Sequence, residues 1–217
     1  MYRVTTPFTA TITPDRGDRP QFMAFCNSRI DLIKSWSNSV ISIKIVDPPK
    51  SNAFDLISRF KKGIEIAKEW GIDKVVIVES DDFYPVAYLD HVNLDDYDFY
   101  GWSSTWYYNI RRRQYQRNYH EGHSSLFCTA FKISALKEFV WPPDDYVWLD
   151  IALWKYAAGR RMFLNPDEPP CIGIKHNVGK VAGKAHKFEL KHSDPELSWL
   201  KSKVDAQAFE FYSNLKF

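Results

Sequence analysis

The stretch Val75-Val76-Ile77-Val78-Glu79-Ser80-Asp81-Asp82 decides the fold of this 217-residue chain. Four consecutive apolar residues predict a central strand that is covered on both faces, as in a parallel sheet between layers of helices. Four polar residues follow where that strand should end. Because ligands of open α/β sheets bind outside the carboxyl ends of the strands, the three carboxylates indicate a binding site.

The segments before this stretch alternate between strand-like and helix-like patterns, which predicts an α/β fold with a mostly parallel sheet flanked by helices. Residues 8–13 form a β-rich run that ends in a polar turn at 14–20, and a helix is expected next. Residues 40–46 predict a second strand, and the prolines after Asp47 prevent further pairing.

The clearest helix of the sequence is expected at residues 52–70, where apolar residues recur at helical spacing. Asn52 is placed to cap this helix, and Gly71 is placed to end it. Because one face of the helix is apolar, we expect it to lie on the sheet.

The second half of the chain is richer in aromatic, β-prone segments, which predict a smaller antiparallel or mixed sheet. Such strands are expected at 97–102, 105–110 and 125–133. A short helix is expected at 149–158, and one amphipathic helix is expected from Asp194 onward.

Composition narrows the class of protein. The chain has 29 basic and 27 acidic residues, so a binding site for a polyanion must be a local patch. Three widely spaced cysteines favour a reducing compartment. No run approaches the roughly 20 apolar residues that span a bilayer, so a cytoplasmic protein without a membrane anchor is expected. The length favours a single domain over residues 1–217.

The acidic tetrapeptide has two interpretations. Adjacent carboxylates disfavour one another's ionisation unless a cation compensates, and Mg²⁺ or Mn²⁺ commonly bridges carboxylates to substrate phosphates. The alternative is a solvated acidic turn. His176 could add an imidazole ligand, with Lys180 and Lys184 near a diphosphate, although a basic surface loop would have the same sequence.

Asp150 is a single acidic residue at the start of an apolar, aromatic helix. A buried carboxylate in such a place can act as the general base that accepts the proton of an acceptor hydroxyl. An acid favoured by the helix dipole would look the same, and Asp144 and Asp145 are competing candidates. The aromatic stretch 102–117 carries Arg111, Arg112, Arg113 and Arg117. It is compatible with an acceptor surface, including one for nucleic acid, but ordinary strands with one buried face are the favoured interpretation.

The order of these features resembles that of the GT-A glycosyltransferases, particularly the family-two-like group. Residues 13–20 are similar to the first nucleotide-binding turn, and Asp47 stands where these enzymes often hold the base. The helix that carries Lys62 leads, as in the family, to an Asp-x-Asp metal motif. The resemblance implies a GT-A, Rossmann-like fold, with a donor-binding part at about 8–82 and an acceptor part at about 83–217.

The resemblance also implies roles for individual residues. Mn²⁺ or Mg²⁺ would be held by His176, similar to the family's late histidine, and by carboxylates among Glu79, Asp81 and Asp82. Asp150 is similar to the catalytic base of inverting members. The nucleotide-sugar donor, most simply a UDP-sugar, would be contacted by residues of the first turn, the second strand, the long helix and the late loop: Thr13, Arg16, Arg19, Asp47, Lys62, Lys180 and Lys184.

The implied activity is transfer of a sugar to an acceptor hydroxyl. One compatible acceptor is a hydroxymethylated base in DNA, bound through Arg111, Arg112, Arg113 and Arg117; a glycan or a small molecule is the alternative. A metal-dependent nucleotidyltransferase would also gather carboxylates at strand ends. A non-catalytic module that binds sugar or nucleic acid is the remaining hypothesis.

Overall fold

A computed structural model describes residues 9–36, 40–48, 55–165, 167–176 and 189–216. The strands are β1 (Thr9–Asp15), β2 (Val40–Val46), β3 (Lys74–Ile77), β4 (Phe99–Trp102), β5 (Ser104–Asn109), β6 (Gln114–Tyr119), β7 (Ala130–Lys132), β8 (Arg161–Leu164), β9 (Ile172–Lys175) and β10 (His192–Ser193). The α-helices are α1 (Pro20–Trp36), α2 (Leu56–Glu69), α3 (Leu149–Tyr156), α4 (Ser198–Lys203) and α5 (Ala206–Ser213).

The main sheet has the strand order β2-β1-β3-β7-β4-β8. β1 pairs in parallel with β2 and β3, and β4 pairs in parallel with β8. Only β7, among the strands described, runs antiparallel to its neighbours β3 and β4. The predicted α/β class with a mostly parallel sheet is therefore confirmed.

β3 lies inside the main sheet and is covered on both sides, as its apolar run predicts. Val75 and Ile77 belong to the core cluster formed with α2 and α3, whereas Val76 and Val78 belong to the cluster on the opposite face. α2 approaches the sheet closely at Gly63, where an added Cβ would lie 2.6 Å from the Cγ2 atom of Ile12. Burial on both faces fixes the point at which the acidic tetrapeptide leaves the sheet.

The second sheet has the order β10-β6-β5-β9 and is mixed, as expected: β5 is antiparallel to β6 and parallel to β9. It is linked to the end of β3 by two hydrogen bonds. Phe83 N donates to the Ile172 carbonyl at 3.0 Å, and Ile172 N donates back to the Phe83 carbonyl at 3.1 Å. Because Phe83 follows Asp82 directly, this link places the acidic tetrapeptide beside β9.

Several predicted elements need correction. The expected strand at 125–133 shortens to β7, because 3₁₀ turns occupy Leu126–Cys128 and Ile133–Leu136. β6 was not predicted as a separate strand. The final helix divides into α4 and α5, since the Asp205 side chain accepts a hydrogen bond from Ala208 N at 3.0 Å and starts a new helix.

The end of α2 agrees with the sequence analysis: Gly71 has φ +69°, and its N–H donates to the Lys68 carbonyl at 2.9 Å. The proposed cap Asn52 lies outside the described residues. Within the described part of the chain, none of the helices has the length and apolar character needed to cross a bilayer.

Candidate metal centre

The three carboxylates of the acidic tetrapeptide converge. Glu79, Asp81 and Asp82 each present an oxygen atom, and these atoms lie within 4.8 Å of one another. Asp81 and Asp82 are buried, with 7% and 5% of their surface exposed. The Tyr84 hydroxyl accepts a hydrogen bond from Glu79 N at 2.9 Å and thereby holds the turn.

Burial makes this group of carboxylates costly to ionise. Burial, and then the neighbouring Asp81 carboxylate, raise the pKa of Glu79 to about 7. The same two causes raise the pKa of Asp82 well above its usual value, although Ile174 N donates to its Oδ1 at 2.7 Å. A bound divalent cation would offset this repulsion, and hard oxygen ligands suit Mg²⁺ or Mn²⁺, so the donor set fits such an ion.

His176 follows β9 and reaches the same group. Its Nε2 atom lies 2.8 Å from Asp81 Oδ2, and its side chain is fully buried. The ring packs against Phe22 of α1, with centroids 4.3 Å apart. The structure thus brings His176 together with the carboxylates, as the resemblance implies for a metal ligand.

Lys175 is a member of the site that the sequence analysis did not select. Burial alone would lower its pKa, but Asp82, Tyr107 and the other carboxylates raise it above the usual value. Its Nζ atom lies 4.9 Å above the Tyr107 ring. Its position directly before His176 at a strand end was the available sequence signal.

Arg19, expected near the donor, lies on the carboxylates. Its Nη1 atom donates to Asp81 Oδ2 at 2.6 Å and lies 3.1 Å from His176 Nε2. Its Nη2 atom donates to Ser80 Oγ at 3.4 Å. Burial would lower the pKa of Arg19, but Asp81 raises it above the ordinary value, so the guanidinium stays charged.

The other residues expected to bind the donor lie at the carboxyl ends of β1 and β2. Thr13 is buried in β1, and Arg16 pairs with Asp18 at 3.2 Å. Asp47 forms an ion pair with Lys62 of α2. Lys180 and Lys184 lie outside the described residues.

Three arginines, Arg16, Arg19 and Arg59, lie near one another in this region. Burial lowers the pKa of Arg16, Asp18 raises it, and the charges of Arg19 and Arg59 lower it further. Arg59 donates to the Asp47 carbonyl at 3.2 Å. Arg19 and Arg59 are therefore close enough to Arg16 to affect its charge, and each of the three arginines also forms an ion pair with an aspartate.

Asp150 lies in the first turn of α3, where its Oδ1 accepts a hydrogen bond from Ile151 N at 2.9 Å. Burial raises its pKa, and His123 acts in the opposite direction. Asp150 also contributes to the raised pKa of Glu79, so the two carboxyl groups interact electrostatically. Asp144 instead pairs with Lys61 at the surface.

His123 was not among the expected site residues, and its neighbour His120 belongs to the same region. The two rings lie 5.1 Å apart. His120 Nε2 lies 2.8 Å from Thr105 Oγ1 and 3.0 Å from Ser125 Oγ, while burial and then His123 lower its pKa to about 4. His120 is therefore a neutral, hydrogen-bonded group on the second sheet at neutral pH.

The arginines expected to face an acceptor lie around the β5–β6 hairpin. Arg111, Arg112 and Arg113 are exposed. Arg112 pairs with Glu189 at 2.9 Å, and Arg113 donates to the Pro195 carbonyl at 2.6 Å. Arg117 donates to Ser104 Oγ at 2.9 Å. These last three arginines thus bind other parts of the chain.

No family model matches the chain, and no curated protein matches its sequence. Among solved structures, S. aureus TarS 1–349 in complex with UDP-GlcNAc aligns with a TM-score of 0.50 at 10% identity, over 81% of this chain and 61% of that one. The chain has the GT-A glycosyltransferase fold.

A second structure that aligns with the chain is a glycosyltransferase involved in the glycosylation of the major capsid of PBCV-1. It aligns with a TM-score of 0.49 at 12% identity, over 74% of this chain and 83% of that one. The chain spans about three fifths of the TarS fragment. At 10% identity the likeness to TarS describes the fold alone, while the activity has to be argued from the site.

The raised pKa of Glu79 predicts that Mn²⁺ stabilises the protein more at pH 8 than at pH 5. The pKa of Glu79 is about 7 in the folded protein, against an ordinary value of 4.5. Without metal, the contribution of Glu79 to the free energy of unfolding is therefore fully present below pH 4.5 and is lost as the pH rises through 7. Bound Mn²⁺ removes this loss because it favours the carboxylate. We expect the Mn²⁺-induced rise in Tm to be larger at pH 8 by about 3 °C or more, measured by thermal shift.

Glu79→Gln should reduce this difference, whereas Glu69→Gln, at the exposed end of α2, should preserve it. An equal Mn²⁺ shift at both pH values in the unaltered protein would contradict the prediction.

Proposed function

We propose that the chain is a metal-dependent glycosyltransferase that transfers a sugar from a nucleotide-sugar donor, a UDP-sugar, to an acceptor hydroxyl. The observation that carries this proposal is the convergence of three carboxylates with the imidazole of His176, beside the carboxyl ends of β3 and β9. The shared fold of TarS, which is described in complex with UDP-GlcNAc, supports UDP as the nucleotide.

The donor is proposed to lie across the ends of β1, β2 and β3. Asp47, which follows β2 and pairs with Lys62, is the proposed contact of the nucleoside, and the buried Thr13 of β1 completes this part of the donor site. Arg19, which contacts Asp81, and Arg16, which is close enough to Arg19 for its pKa to be lowered, are the proposed contacts of the diphosphate. Lys180 and Lys184 complete the proposed set of phosphate contacts.

Glu79, Asp81, Asp82 and His176 are the proposed metal ligands. When bound, the ion neutralises negative charge on the diphosphate as it leaves. Lys175 adds a fixed positive charge beside the carboxylates and stays charged because their field raises its pKa. These residues would stabilise the negative charge that develops on the diphosphate as its bond to the sugar breaks.

Asp150 is the proposed base. As the acceptor oxygen bonds to the sugar and the bond to the diphosphate breaks, the hydroxyl proton passes to the Asp150 carboxylate. Burial raises the pKa of Asp150, which makes it a better proton acceptor than an exposed aspartate. His123, whose charge affects the pKa of Asp150, and its neighbour His120 are proposed to line the acceptor site.

A hydroxymethylated base in DNA is retained as a proposed acceptor because Arg111, Arg112 and Arg113 are exposed on one hairpin. DNA phosphates would compete with Glu189 for Arg112 and with the Pro195 carbonyl for Arg113. A glycan or small-molecule acceptor would not need to displace these partners of Arg112 and Arg113. The acceptor class is therefore decided by assay.

The test is a turnover assay with UDP-sugars, Mn²⁺ and a panel of acceptors that includes hydroxymethylated DNA and glycans. We expect release of UDP and a labelled product only when Mn²⁺ is present. If DNA is the acceptor, labelling should fall steeply with salt and on replacing Arg111, Arg112 and Arg113 by Ala.

Two results would contradict the proposal. Release of pyrophosphate from a nucleoside triphosphate, without turnover of any nucleotide-sugar, would indicate a nucleotidyltransferase. Binding of a nucleotide-sugar without turnover on any acceptor would indicate a binding module.

A further inference from the structure

The guanidinium of Arg19 contacts the side-chain atoms of Asp81 and His176 that are proposed to bind a metal ion. Arg19 Nη1 lies 2.6 Å from Asp81 Oδ2 and 3.1 Å from His176 Nε2, and these two atoms are themselves only 2.8 Å apart. Nη1 thus contacts both atoms that a cation ligated by Asp81 and His176 would bind, and its positive charge would oppose the approach of that cation. The guanidinium and a divalent ion are therefore competitors for the same ligand atoms.

We propose that Arg19 is a displaceable internal cation: it holds Asp81 and His176 until a divalent ion binds, and it then transfers to the diphosphate of the donor. The inference rests on the proposed function for the second step, because the diphosphate comes from that function. The first step concerns the metal alone and stands on the contacts of Arg19.

Charge balance favours this exchange. The three carboxylates Glu79, Asp81 and Asp82 lie beside two internal cations: Arg19, which contacts Asp81, and Lys175, whose charged form all three carboxylates favour. A divalent ion added beside both cations would give the site an excess of positive charge. If Arg19 leaves, the ion and Lys175 together match the three carboxylates, and one guanidinium becomes available to an anion.

The position of Arg19 allows this change without unfolding. Arg19 directly precedes α1, and its carbonyl accepts hydrogen bonds from Phe22 N and Met23 N, so the backbone is fixed at the helix start. Rotation of the side chain alone changes its partner. Asp18, whose Oδ1 lies 3.8 Å from Arg19 Nε, keeps an opposite charge beside the side chain.

The consequence is coupled binding. The metal ion frees Arg19, the freed guanidinium binds the diphosphate, and the diphosphate in turn removes the competitor of the metal. Metal and nucleoside diphosphate should each strengthen the binding of the other, and Arg19 should be a source of that coupling.

The experiment measures Mn²⁺ affinity without nucleotide, from the EPR signal of free Mn²⁺, and UDP affinity at saturating Mn²⁺, by calorimetry. Arg19→Gln removes the competing charge. We expect this variant to bind Mn²⁺ alone about tenfold more tightly than the unaltered protein, and to bind UDP about tenfold more weakly.

Arg16→Gln is the matched control, because it removes a neighbouring arginine whose ion pair is with Asp18. It should weaken UDP binding without tightening Mn²⁺ binding. Arg19→Lys keeps a charge with shorter reach and should bind Mn²⁺ with intermediate affinity. That variant provides the measurement if Arg19→Gln does not fold.

Mn²⁺ affinity that is unchanged or lower in the Arg19 variants would overturn the proposal, even if the unaltered protein transfers sugar. So would tighter Mn²⁺ binding without any loss of UDP affinity. Conversely, tighter Mn²⁺ and weaker UDP binding in a protein that transfers no sugar would support the exchange and refute the proposed activity.

Discussion

Asp81→Asn is expected to lower sugar transfer by about 100-fold or more, measured as Mn²⁺-dependent UDP release at saturating donor. Asp81 is the carboxylate on which His176 and Arg19 converge, so the substitution removes a charge from the centre of the proposed metal site. Loss of one such electrostatic group typically costs about 10²–10³ in rate.

The fold should survive this substitution. The backbone carbonyl of Asp81, which accepts a hydrogen bond from the Tyr212 hydroxyl at 3.4 Å, is retained. The lost ion pair with Arg19 is offset because Asp81 no longer opposes ionisation of Glu79 and Asp82. We expect the Tm of the metal-free variant to lie within about 5 °C of the original, a change of a kcal/mol or two.

Asp95→Asn is the matched control, since Asp95 is an exposed aspartate that pairs with Lys74 away from the carboxylates. It should leave transfer unchanged. An Asp81→Asn protein that keeps more than a tenth of the original rate would show that the metal ligands have been assigned wrongly.

Asp150→Asn is expected to reduce kcat by about 10²–10⁴-fold with little change in the KM for the donor, as for loss of a general base. The asparagine Oδ1 can still accept from Ile151 N, so the start of α3 should be preserved. Steady-state kinetics against both substrates, with circular dichroism, separates lost chemistry from lost structure.

The pH profile gives an independent check. In the unaltered protein kcat should rise as the pH passes through the pKa of Asp150, which burial places above the ordinary value of 3.8, because only the carboxylate accepts a proton. Asp150→Asn should lack this rise. Asp144→Asn, at an exposed position paired with Lys61, should retain both rate and profile.

Equal losses in Asp144→Asn and Asp150→Asn would remove Asp150 from the mechanism. A raised donor KM at unchanged kcat in Asp150→Asn would place the residue in donor binding instead.

The sequence predicted those parts of the fold that depend on local patterns. The bounds of β2 match residues 40–46, and the apolar run of β3 is covered on both faces, because burial leaves a direct trace in composition. Local sequence patterns could not predict that β7 lies between β3 and β4 and runs antiparallel to both. Strand order depends on pairing between distant segments, and three residues carry too little pattern.

In the candidate site, too, only the features that depend on neighbouring residues could be predicted from the sequence. The acidic group was recognisable because its residues are adjacent and follow a strand. The contacts that define its chemistry are not local: Arg19 and Asp81 are 62 positions apart, and Asp81 and His176 are 95 apart. The histidine at a strand end and the resemblance both indicated His176, but neither indicated that Arg19 binds the carboxylates or that Lys175 lies beside them.

The link between Phe83 and Ile172 has a consequence for motion. Together with the bond from Ile174 N to Asp82, it hydrogen-bonds the acidic segment to β9, the strand that also ends at His176. If the two sheets shift relative to each other when a substrate binds, the carboxylates should move together with β9. The distances from Asp81 and Asp82 to His176 should then be preserved during that motion.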